Sequence, residues 1–114
     1  MREKRRRNRR NSPHRINVLD AGDERVLGRL VNITIGGLMF LAPASYKVGR
    51  VLDVRLPLPT MANGKLSIDV TGTVCWSRPD ANARFQRIGM QFENLGPEEA
   101  YLIETVLQRL HLVG

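Results

Sequence analysis

Seven of the nine residues from Arg2 to Arg10 are basic, and six of those seven are arginine. Arginine at this density points to shaped anion recognition. Its planar fork donates two parallel hydrogen bonds to phosphate oxygens or to the O6 and N7 edge of guanine, and it stacks on a base, as a lysine point charge does not. The run carries almost nothing apolar, so alone it cannot offset the entropy cost of ordering. A solvated tail that only aids solubility has the same composition, and a second element must decide between the two. A candidate lies at Asn32-Ile33-Thr34-Ile35-Gly36-Gly37, where a strand ends in a short turn. Strand alternation puts Asn32 and Thr34 on one side, and Gly37 lets the backbone turn without a side chain obstructing a ligand. The same residues also suit a plain turn in which Asn32 and Thr34 satisfy local backbone groups.

Other reactive side chains form no constellation. His14 and His111 are far apart with no ligand-spaced neighbours, so no metal site is expected. No nucleophile, base and orienter set occurs, so an enzyme is not expected. Cys75 lies between Val74 and Trp76, and alternation turns it outward and them inward, with Trp76 in the core. A single cysteine cannot form an internal disulfide, which suits a reducing compartment.

Charge is placed unevenly. Residues 1 to 15 hold eight Lys or Arg against Glu3, whereas residues 16 to 114 hold ten of each sign, so the net charge of +7 belongs to the arm. A basic arm on a neutral body implies an anionic partner met at one end. Arg9-Arg10 could open an export signal, but Ile16-Asn17-Val18-Leu19-Asp20 is interrupted by polar groups and no apolar segment follows, so a cytoplasmic location is expected. No stretch approaches the roughly 20 apolar residues that span a bilayer.

The elements that must position these residues are mostly strands. A chain of 114 residues suits one core, and its apolar fraction of 42% is ordinary for a globular domain. Alternating apolar residues predict strands at 14–19, 25–33, 38–41, 51–56, 65–77 and 84–92, with turns at Ala21-Gly22-Asp23 and Pro79-Asp80-Ala81-Asn82. In the fifth run Leu66, Ile68, Val70, Val74 and Trp76 share the inward parity, and Gly72 is expected at a bend or bulge. Ile88, Met90 and Phe92 face inward on the sixth. Pro97, Glu98 and Glu99 open a helix over 97–111, with Leu102, Ile103, Val106, Leu107 and Leu110 on one stripe. Six short strands without interleaved helices favour a closed antiparallel barrel over a sandwich, because closure removes exposed edges. The expected organisation is thus a basic arm, 1–13, followed by a mainly β domain, 14–114.

Together these elements resemble the PilZ family, whose signature is an Arg-x-x-x-Arg segment before the first strand and a later Asp/Asn-x-Ser-x-x-Gly. Here the second motif reads Asn32-x-Thr34-x-x-Gly37, with Thr in place of Ser. The resemblance continues in Gly36-Gly37-Leu38, in Gly72-Thr73-Val74-Cys75-Trp76 and in Ile88-Gly89-Met90-Gln91-Phe92, and so covers nearly the whole chain. The arginine motif fits two registers, Arg5-x-x-x-Arg9 and Arg6-x-x-x-Arg10; the second leaves 22 residues from Arg10 to Asn32 and is preferred.

The resemblance implies a cyclic di-GMP receptor with a six-stranded PilZ barrel and no other cofactor. In it Arg6 and Arg10 would fold over phosphates and guanine edges, Asn32 and Thr34 would hydrogen-bond the ligand, and Arg5, Arg7 or Arg9 could serve a second messenger molecule. The arm would order on binding and signal to a partner protein that the sequence does not identify. Two other readings are a PilZ-like interaction domain without ligand and a basic-armed nucleic-acid-binding barrel. Long nucleic acid is not expected: single-strand binders need several exposed rings, whereas Phe40, Tyr46, Trp76, Phe85, Phe92 and Tyr101 are few, and Trp76 and Phe92 are read as inward.

Overall fold

The computed structural model describes residues 15–62 and 65–107. Arg5, Arg6, Arg9, Arg10 and His14 lie outside the described residues. Six strands form a closed antiparallel barrel in the order β1-β2-β3-β6-β5-β4: β1 (Asn17–Asp20), β2 (Val26–Thr34), β3 (Gly37–Ala42), β4 (Val51–Ala62), β5 (Lys65–Pro79) and β6 (Gln86–Glu93). Closure is made where Leu19 and Asp20 of β1 pair with Arg55 and Val54 of β4. The ends of the strands differ from expectation by one to three residues where they differ, except for β4, which runs on through Pro57. Proline forfeits a ladder donor, yet Pro57 pairs with Ser67 and Leu58 is buried, so the hairpin of β4 and β5 is longer than its prolines suggest.

Burial follows the pleat. Leu52, Val54, Leu56 and Leu58 of β4, Ile68, Val70 and Val74 of β5, and Ile88 and Met90 of β6 fill the interior with Phe40 of β3, while Phe92 packs partly buried against them. Gly28 of β2 leaves room for a neighbour: a Cβ there would stand 2.0 Å from the Leu41 carbonyl oxygen and 2.7 Å from the Phe40 ring. The turn after β1 is held by Asp20, whose carboxylate accepts the Gly22 N–H at 2.7 Å and the Asp23 N–H at 3.3 Å.

Besides the register shift at Leu27 between β1 and β2, two single-residue insertions bear on the outer face. On β2, Leu30 pairs with Phe40 and Asn32 with the next residue back, Met39, so Val31 has no opposite number. On β5, Val74 pairs with Met90 and Trp76 with Gly89, leaving Cys75 unopposed. Each is a β-bulge, which shifts side-chain parity by one. The expected bulge at Gly72 is absent, since Gly72 pairs in unbroken register with Leu52 and Phe92. Its missing side chain instead makes room inside, where a Cβ would meet the Met90 methyl at 2.6 Å.

The final segment begins with α1 (Pro97–Leu102), with Pro97 at its start and Glu98 and Glu99 in its first turn. It continues as a π-helical turn, Ile103–Leu107. Leu102 and Ile103 are fully buried, as their stripe predicts, and the segment packs against β5 and β2. The rest of the expected helix lies outside the described residues.

Gly28→Ala, which forces a methyl into the Leu41 carbonyl, is expected to cost about 1–3 kcal/mol in urea unfolding. Acid should also destabilise the fold. The backbone N–H of Gly22, then that of Asp23, lowers the Asp20 carboxyl below its ordinary value, and Arg87, then the Asn82 N–H, does the same for Asp80. Groups depressed on folding stabilise above their unfolded pKa and lose that contribution as pH falls through the folded one. The melting temperature should therefore drop between about pH 5 and about pH 3, and less so in Asp20→Asn/Asp80→Asn.

Candidate functional site

The bulge at Val31 decides where the Asn32 motif points. Strict alternation from buried Leu30 would turn Asn32 and Thr34 inward and Ile33 out. With one residue inserted, Ile33 is fully buried while Asn32 and Thr34 stand on the outer face. There they border a groove of about 360 Å³ that crosses β2, β3, β6 and β5. Register sets its two rows. Thr34 lies opposite Gly37 and Gly37 opposite Gln91; one step along, Asn32 lies opposite Met39, Met39 opposite Gly89, and Gly89 opposite Trp76.

Each polar group in the groove retains capacity for a ligand. The Thr34 hydroxyl oxygen accepts the Gly36 N–H at 3.1 Å, which leaves its proton to donate. The Asn32 amide makes no side-chain hydrogen bond among the described residues, so its donor and acceptor are both open. Gly37 lines the groove and also has a packing part. A Cβ at Gly37 would come within 2.1 Å of the Met90 carbonyl oxygen, so glycine lets β3 close onto β6, and Gly36 anchors the turn by accepting the Phe92 N–H at 2.9 Å.

Trp76 is not in the core. The bulge at Cys75 turns it to the outer face, where its half-buried indole lies over Gly89; a Cβ at Gly89 would stand 2.3 Å from Cε2 and 2.4 Å from Nε1. Alternation alone misses this. The available signal was Gly89 itself, a glycine at outward parity between the inward Ile88 and Met90. Cys75 is exposed on the same bulge, with weak contacts from its thiol to the Thr73 carbonyl and the Gln91 side chain.

Among the described residues no carboxylate lines this groove. A second concavity, of about 320 Å³, is lined by Asp69, Thr71, Glu93, Asn94 and Glu99, and its acids disfavour an anionic ligand. Arg55 stands beside it, donating to Asp69 at 2.8 and 3.0 Å and to Glu24 at 2.5 Å. The hydrogen bonds to Asp69, then Glu24, push its guanidinium pKa further up, so its charge serves that network. Among the described residues there is no His, Cys, Asp and Glu grouping that could hold a metal ion and no helix long and apolar enough to cross a membrane.

Asn32, Thr34 and Gly37 are thus brought together, and the chain arrives beside them. The Leu30 N–H donates to the Ile16 carbonyl at 2.8 Å, so Ile16, near the start of the described residues, lies toward the Asn32 end of β2.

The molecule is a small closed six-stranded barrel with a polar and aromatic groove on its outer face. The PilZ domain model matches residues 3–110, and the chain belongs to the PilZ family. Among solved structures it is similar to the Bacillus subtilis inhibitor of motility MotI/DgrA, at 15% identity and a TM-score of 0.62 over 85% of this chain and 44% of that one. It is also similar to the PilZ domain with c-di-GMP of YcgR from Escherichia coli, at 14% identity and a TM-score of 0.59 over 87% and 82% of the two chains. At these identities the likeness is one of fold, and the chain spans less than half the length of the Bacillus protein. No curated protein matches the sequence.

Trp76 is the sole tryptophan, so its emission reports the groove directly. Gly89→Val is expected to lift the indole off the sheet and shift its emission to longer wavelength, while the far-ultraviolet circular dichroism of the barrel persists because Ile88 and Met90 keep their places.

Proposed function

We propose that this domain is a cytoplasmic receptor for cyclic di-GMP that captures the messenger between its outer groove and its arginine-rich arm. The observation that carries the reading is the outward turn of Asn32 and Thr34 into a groove floored by Trp76, lined by no carboxylate among the described residues, with Ile16 beside that end of β2. The family and the YcgR domain with c-di-GMP support the choice of ligand.

In this reading a guanine stacks on the indole of Trp76, an aromatic contact worth about 1–3 kcal/mol. The Asn32 amide reads a base edge, and the Thr34 hydroxyl donates to a base or phosphate oxygen. Arg6 and Arg10, or Arg5 and Arg9 in the other register, close over the phosphates and the guanine O6 and N7 edge as bidentate forks. Reach is adequate: Arg10 lies six residues before Ile16, up to about 20 Å of extended chain. The arm exchanges its conformational freedom for these contacts only when ligand is present, and the bound arm makes a surface for a partner protein. Gly37 contributes by keeping β3 and β6 close enough to form the floor.

Calorimetric titration with cyclic di-GMP, GTP and a short oligonucleotide tests this. Saturable binding is expected for the cyclic dinucleotide alone. Arg6→Ala/Arg10→Ala should abolish it, and Asn32→Ala or Trp76→Ala should weaken it by roughly 10-fold to 100-fold. An absence of heat at high concentration of the dinucleotide would favour an interaction domain without ligand, and oligonucleotide binding that falls steeply with salt would favour a nucleic-acid binder.

A further inference from the structure

One step along the strands from the groove, the register lines up a second outer row. Arg29 of β2 lies opposite Leu41 of β3, Leu41 opposite Arg87 of β6, and Arg87 directly opposite Arg78 of β5. Arg87 is two residues from Gly89, and Arg78 two from Trp76, so each sits about 7 Å along its strand from the groove floor. Both are exposed. Like charges directly opposed on an antiparallel pair are unfavourable, and an anion between them would reverse the sign.

Each guanidinium is held in place beforehand. Arg87 donates its Nε–H to Asp80 at 2.7 Å, which leaves its two terminal amino groups without a hydrogen bond among the described residues. Asp80 is fixed in turn, its N–H donating to the Phe85 carbonyl at 3.0 Å and its other carboxylate oxygen accepting the Asn82 N–H at 3.2 Å. Arg78 lies over Trp76, its guanidinium carbon 5.4 Å from the ring centroid. A guanine that stacks on this indole displaces the guanidinium to the rim of the groove, where its fork is free to meet the ligand. The result is two arginine forks, one anchored by Asp80 and one released at Trp76, at the β5–β6 end of a groove that no described carboxylate lines.

We infer that Arg78 and Arg87 form a phosphate-binding pair that closes this end of the groove and takes a phosphodiester of the cyclic dinucleotide. The inference rests on the receptor reading above and extends it. The arm serves the ligand from the Asn32 side, and the barrel itself serves it from the Trp76 side. A ligand with two phosphodiesters satisfies both walls at once, whereas a mononucleotide satisfies one, so the pair contributes selectivity for the dinucleotide.

The test is calorimetric titration of the full chain with cyclic di-GMP, comparing the parent with Arg78→Ala/Arg87→Ala and with Arg84→Ala, an exposed arginine of the neighbouring turn. The double variant is expected to bind roughly 10-fold to 100-fold more weakly, as loss of charged hydrogen bonds implies, and Arg84→Ala to bind like the parent. The double variant also loses the Arg87–Asp80 contact, so its melting curve is recorded beside the titration, and a folded baseline at the titration temperature separates weaker binding from unfolding. Lower affinity at unchanged stoichiometry assigns the phosphate to the molecule on Trp76; lower stoichiometry with the remaining affinity intact assigns it to a second dinucleotide. Equal affinity and stoichiometry in parent and double variant overturn the pair. A parent that does not bind the dinucleotide at all overturns the receptor reading and the pair together.

Discussion

The interior of a six-stranded barrel accepts only one parity from each strand, and everything at the candidate site depends on where that parity is broken. Val31 and Cys75 are each one residue too many for the ladder. A bulge gives up a backbone pairing and bends its strand, but its effect on the side chains that follow is complete: every later residue changes face. Val31 sends Ile33 to the core and brings Asn32 and Thr34 out. Cys75 does the same for Trp76. The outward amide and hydroxyl on β2 and the outward indole on β5 are therefore products of two local irregularities in the ladders.

Close packing supplies the rest of the groove. Gly37 and Gly89 sit where any side chain would collide, the first with the β6 backbone and the second with the indole. One lets neighbouring strands approach and the other seats a large ring flat on the sheet. Both lower the floor of the site, so a planar ligand meets aromatic and backbone surface with polar groups at its edge, an arrangement suited to a nucleobase.

Charge divides the outer face of β5 and β6 along its length. Arg78 and Arg87 stand at one end and Asp69 and Glu93 at the other, with Trp76, Gly89 and Gln91 between them. The acidic end is internally engaged: Asp69 is paired with Arg55, the Thr73 hydroxyl donates to Glu93, and that of Thr71 donates to Asp53 at 2.6 Å. The basic end holds its arginines with a carboxylate and a ring and leaves donors open. An anion approaching the groove is drawn to one end and turned away from the other.

Much of this was legible in the sequence, because local physics is written there. Alternation at Leu52, Val54 and Leu56, the Asp20 and Asp80 turns, and Pro97 ahead of two glutamates each depend on near neighbours. They yield six strands and a terminal helix, while the resemblance that the family model bears out was carried by the motifs at Asn32, Gly72 and Ile88. The basic arm and the Asn32 motif were equally visible as residue types suited to anions. The order of strands around the barrel, the outward position of Trp76, the packing role of Gly37 and the meeting of Arg78 with Arg87 were decided only by tertiary structure. Each is a relation between strands distant in the chain, and a bulge exists only relative to the partner strand that has one residue fewer.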